Sequence, residues 1–241
     1  MRLAAGLAVA LTLIAGPALA QQMSIDLGGG AGESLSLRSV QLLLLVTVLS
    51  IVPGLAVMIT CFPFIVTVLS ILRQALGLQQ APPNMLIISL SLFLTWFVMD
   101  PVFTEAWVKG IEPMSNGTLE VGPGLQAAIA PFRVFMAGRV DPETLQTLQD
   151  LRSTVAVSPA DAPLSLLVPS FLLSEIQRAF EIGFMIFLPF LIIDLVVAAI
   201  LMSMGMMMVP PAVVSLPFKL IFFVVADGWA LVSGALVRSY F

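Results

Sequence analysis

Two ionisable residues stand inside stretches that are otherwise apolar: Asp194 in FMIFLPFLIIDLVVAAILMS and Lys219 in PPAVVSLPFKLIFFVV. A charge surrounded by hydrocarbon is costly unless it meets a partner or water, so each marks a structural or functional site. Their spacing says more. The midpoint between positions 194 and 219 falls between Met206 and Met207, inside the turn SMGMMMVPP. If the flanking helices fold back antiparallel, a rise of 1.5 Å per residue puts both charges about 19 Å from the turn, at one depth. The pattern predicts an ion pair in the stem of a helical hairpin. At its tip lie Met204, Met206, Met207 and Met208. Methionine is unbranched and polarisable, so it suits a surface that must repack around varied shapes. The plainer reading of the four is core packing at a helix end.

Other chemistry is largely excluded by what is missing. The chain has no histidine and one cysteine, Cys61. This rules out Ser-His-Asp and Cys-His catalysis, the usual zinc sites and any intrachain disulfide. Cys61 reads as a small buried hydrophobe. Gly28-Gly29-Gly30 lacks the lysine and the strand-to-helix setting of a phosphate loop. Asp100, Asp194 and Asp227 together would suit a proton relay in a transporter. Such a transporter should show repeat-related broken helices, and the two halves share no convincing symmetry. An intramembrane aspartyl protease is disfavoured because Asp227-Gly228 is not preceded by Gly-x-Gly. No catalytic residue, metal site or cofactor is expected. Glu175, Arg178 and Glu181, three apart, share a helix face that is either solvated and self-paired or a subunit contact.

The elements that position these residues follow from composition. The 241 residues are 59% hydrophobic and only 10% charged, against about 25% charged in a soluble globule. The expected fold is an all-α integral membrane protein: two long kinked helical hairpins with an exported polar helical insertion. The net charge of −4 is spread without a basic block, so no nucleic acid is expected. Residues 1–20 have the n-region, apolar core and Ala18-Leu19-Ala20 of a cleavable signal peptide. Residues 21–38 read as a flexible exported lead-in. The first hairpin, 39–108, is interrupted at Pro53-Gly54 and Pro63, and its returning helix is expected to be broken at Asp100-Pro101. Residues 109–168, the one polar region, hold 10 of the 24 charged residues. There Asp141 is placed to cap an amphipathic helix carrying Leu145, Leu148 and Leu151. The second hairpin, 169–241, needs a kink at Pro189 or a projection beyond the lipid, then a last helix from Val213 to Arg238.

The string FLPFLIIDLVVAAILMSMGMMMVPPAVVSLPFKLIFFVVADGW, together with LRQALGLQQAPPN, closely resembles the FliP family, the membrane proteins of the flagellar type III export gate. One departure stands out: many relatives carry an arginine where this sequence has Phe64, so any role of that arginine is absent or relocated. The resemblance implies a pore-forming subunit that lets unfolded flagellar proteins cross the bacterial inner membrane at the flagellar basal body. It implies a homo-oligomer, a pentamer, with FliQ and FliR, working with FlhA and FlhB, with FliO in assembly, and with membrane lipid. In such a ring the methionine tips would form a soft constriction, a pore gasket. The alternative within the family is the virulence injectisome homologue. The signal peptide favours the flagellar branch, because injectisome relatives generally lack a cleavable one.

Overall fold

The computed structural model describes residues 35–78, 82–152, 157–206 and 208–241. The expected signal peptide, the lead-in up to residue 34 and Met207 lie outside these residues. Among the described residues every regular element is helical. They fall into two units, Met1–Leu49 and Ser50–Phe241. The first contributes the start of α1 (Leu35–Met58). All that follows concerns the second.

The centre of this unit is α2 (Phe62–Ala75). Phe64, Ile65, Val68, Leu69 and Leu72 are all fully buried. They recur at the three- and four-residue spacing that sets one face of a helix against its neighbours. The first apolar segment breaks at Ile59–Cys61, just ahead of Pro63, and α1 passes through Pro53 unbroken. Proline is tolerated at α2's start because a first-turn N–H has no intrahelical partner to lose. A buried Cys61 fills the break.

The returning helix, α3 (Asn84–Ala106), is not interrupted at Pro101, contrary to the sequence expectation. It continues through a π-helical stretch, Trp107–Ile111, into the short α4 (Glu112–Ser115). The fixed φ of proline is itself helical. What proline removes is one N–H bond, which a packed helix can forgo when its other contacts hold. The polar region is helical too. It contains α5 (Val121–Arg139) and α6 (Pro142–Leu151). Asp141 caps α6, accepting from the Thr144 backbone N–H at 2.9 Å and from the Thr144 hydroxyl at 2.9 Å. These bonds, the backbone one first, hold the Asp141 carboxyl below the usual carboxylate range. Leu145 is buried, Leu148 packs beside it, and Leu151 faces outward.

The longest element is α7 (Leu164–Ser203), 40 residues passing through both Pro169 and Pro189. At 1.5 Å per residue it is about 60 Å long, roughly twice a bilayer's hydrocarbon core. The final apolar segment is not one helix. It splits into α8 (Pro211–Val225) and α9 (Gly228–Arg238), bent by 62°. The break needs no proline, since Asp227 adopts a left-handed conformation with φ of 50°, which ends the helical run. Among the described residues, two helical stretches, Asn84–Ser115 and Leu164–Ser203, are long and apolar enough to cross a membrane. The bent pair makes a third if it counts as one span.

Candidate functional site

The hairpin of α7 and α8 brings Asp194 and Lys219 together. Lys219 Nζ lies 2.6 Å from Asp194 Oδ2. The lysine is buried, whereas the aspartate side chain is 31% exposed. Two further bonds organise the pair. The Ser215 hydroxyl, one turn before Lys219, donates to Asp194 Oδ1 at 2.5 Å. Lys219 Nζ also donates to the carbonyl of Ala75 at 3.0 Å. Ala75 is the last residue of α2, where carbonyls lack intrahelical partners and the helix dipole favours a cation. Lys219 therefore neutralises Asp194 and caps α2 at once. A single side chain ties the hairpin stem to the core helix.

The stem leads to the methionine turn. Just past the end of α7, Gly205 has a φ of 76°, one that residues with a Cβ avoid. Met206 N–H then bonds back to the Leu201 carbonyl at 3.0 Å and Gly205 N–H to that of Met202 at 3.1 Å. This is the reversal that commonly closes a helix. Pro210 and Pro211 start α8. Met204, Met206 and Met208 all point outward, Met208 being 97% exposed. Below them, between α7 and α8, runs an apolar groove of about 530 Å³ lined by Ile193, Val197, Leu201, Met204, Met206 and Phe218 among others. These methionines are not filling a core of this chain.

A second charge cluster lies at the open end of the hairpin. Glu175 on α7 is fully buried. Its Oε1 accepts from Arg139 Nε at 3.1 Å and from an Nη of Arg178 at 3.3 Å, and its Oε2 accepts from the Tyr240 hydroxyl. Arg139 reaches on to the Ser239 carbonyl at 2.8 Å and lies 4.1 Å above the Tyr240 ring. Its guanidinium is 5.9 Å from the ring of Phe64. An arginine of α5 therefore lies beside Phe64. Burial first, then the Glu175 carboxylate, raises the Tyr240 pKa and keeps the phenol protonated. Of the three acidic and basic residues predicted to share a face, only Glu175 is fully engaged inside. Arg178 is half-buried, and Glu181 is exposed beside Gln177. Asp100 and Asp227 both lie exposed, and Asp194's bonds are to Lys219 and Ser215.

Residues 45–236 match the model of the FliP family. A flagellar biosynthetic protein FliP of Caulobacter vibrioides is 49% identical over 235 residues, covering 97% of this chain and 88% of the relative. That of Pectobacterium carotovorum is 43% identical over 240 residues, covering 98% and 92%. That of Bacillus subtilis is 44% identical over 203 residues, covering 84% and 92%. The chain belongs to the FliP family. It is therefore a helical membrane protein of flagellar biosynthesis, structural rather than enzymatic.

For this FliP family member, sequence reading singled out Glu175 but not Arg139, Tyr240 or Ser215. Arg139 closes an otherwise unremarkable helix, and Tyr240 follows the last one. Their bonds to the rest of the cluster span 36, 65 and 100 residues. One local signal was available for Ser215. It sits four residues before Lys219 in an apolar helix, on the same face.

Proposed function

We propose that the chain is a pore-forming subunit of the flagellar type III protein-export gate, letting unfolded flagellar proteins cross the inner membrane. Copies of the chain assemble as a ring with FliQ and FliR, receive substrate through FlhA and FlhB, and use FliO in assembly. In the ring, Met204, Met206, Met207 and Met208 meet around the axis as a deformable apolar gasket. Glu181 and Arg178, with their charge at least partly exposed, contribute to contacts between copies, and Glu175 sets the face that presents them. The observation that carries this reading is the turn itself. Its described methionines are exposed at the tip of a hairpin whose stem is fixed by a buried lysine. A flexible apolar tip on a rigid stem can close on itself or around a passing chain, because thioethers repack without a fixed shape.

The ring is tested by cross-linking. In a Cys61→Ala background, Met208→Cys in native membranes should give a ladder of linked copies with a short bis-maleimide. A protein that assembles with its partners but stays monomeric under the cross-linker rules out convergent tips.

A further inference from the structure

The bend at Asp227 poses a problem that the cluster at Glu175 answers. α9 leaves α8 at 62° through a left-handed aspartate, a conformation that L residues other than glycine rarely hold without support. That side chain makes no cap bond to its own helix. Trp229 meets Phe223 edge-on across the bend, centroids 5.4 Å apart, and the far end of α9 needs a hold of its own. The segment after α9 supplies it. Ser239 offers its carbonyl to Arg139 at 2.8 Å, while Tyr240 lies under the same guanidinium and donates its hydroxyl to the buried Glu175. Among the described residues that hydroxyl is the one donor to Glu175 Oε2. The Tyr240 ring also meets Phe64 edge-on, with centroids 5.6 Å apart, and stacks on Phe135 at 6.0 Å.

We propose that Ser239 and Tyr240 form a latch that docks on the Arg139–Glu175 pair and holds α9 in its bent position. The second hairpin is then clamped at both ends: by Asp194–Lys219 on the way to the turn, and by Glu175–Arg139–Tyr240 at its base. The latch joins four segments that are far apart in sequence, namely α2 through Phe64, α5 through Arg139, α7 through Glu175 and the residues after α9. Both oxygens of Glu175 are used, so the tyrosine cannot leave without stranding a buried acceptor. Leaving would also uncover Leu236, which is 1% exposed on the inner face of α9. The latch does not depend on whether the methionine tips seal a pore.

The test is local exposure in the detergent-purified full chain with Cys61 replaced by alanine. Single cysteines at Leu236 and at Leu72, a fully buried position of α2, report the latch and the core respectively. Tyr240→Phe keeps the ring stacked on Arg139 and removes only the hydroxyl. It should raise the maleimide-labelling rate of Leu236→Cys about tenfold or more, the ratio expected for losing a bond to a charged group, and leave Leu72→Cys protected. Adding Glu175→Gln to Tyr240→Phe should raise the Leu236→Cys rate less than the two separate effects multiplied together. An unchanged Leu236→Cys rate overturns the latch. So does parallel exposure of Leu72→Cys, which would make Tyr240 a general support of the fold, and so do fully multiplicative effects of the two substitutions.

Discussion

At the scale of single residues, the two partners of the stem ion pair are not equivalent. Lys219 is buried and caps α2, whereas Asp194 keeps about a third of its side chain exposed. Removing the carboxylate strands an ammonium inside the protein, while removing the lysine leaves a carboxylate that water can still reach. Breaking a buried pair from one side costs on the order of 3–5 kcal/mol. Asp194→Asn should therefore approach that figure, and Lys219→Met should fall below it. The double variant should recover part of the loss. The measurement is a double-mutant cycle on thermal stability in detergent and on motility. Additive losses would mean that the two residues act separately. The pairing was legible in the sequence because a hairpin turn fixes depth arithmetically. The bond from Lys219 to Ala75, 144 residues away, was not, because no local pattern encodes which helix end a lysine will meet.

At the scale of elements, proline misled at Pro53 and Pro101 though not at Pro63, and the bend at Asp227 was overlooked. Pro53 and Pro101 lie inside continuous helices, while the 62° bend between α8 and α9 falls at Asp227, where no proline stands. Proline costs a helix one hydrogen bond, and packing decides whether the helix survives, so its position marks a weak point rather than an end. The α5 helix shows how close such packing becomes. A Cβ built at Gly110, in the π-helical stretch, would lie 2.5 Å from the backbone nitrogen of Ala128 and 2.7 Å from its Cα. No side-chain rotation relieves a clash with backbone. Gly110→Ala should force the π-helical stretch away from α5 and destabilise the protein by about 1–3 kcal/mol, the usual range for overpacking. Gly138→Ala, whose Cβ meets nothing within 4 Å, serves as the control. Equal melting temperatures for the two variants would refute the close contact.

At the scale of the whole molecule, a large share of the apolar residues face outward. Phe93, Trp96, Phe97, Phe184, Met185, Leu195 and Val225 are all exposed on the isolated chain. Exposure on this scale marks surface meant for lipid or for other subunits. The apolar composition predicted that class of surface. It did not say which faces meet lipid and which meet protein, since both partners select the same side chains. The methionine turn, proposed above as a gasket, stands exposed at the tip of a pinned hairpin. Replacing Met206, Met207 and Met208 together by alanine removes bulk but leaves Gly205, Pro210 and the stem pair intact. Ion flux across membranes containing the assembled complex is the direct measurement. The triple-alanine protein should assemble and leak small ions, whereas the triple-leucine protein, which restores bulk, should stay tight. A triple-alanine complex that assembles normally and conducts no more than the unaltered protein would contradict the gasket.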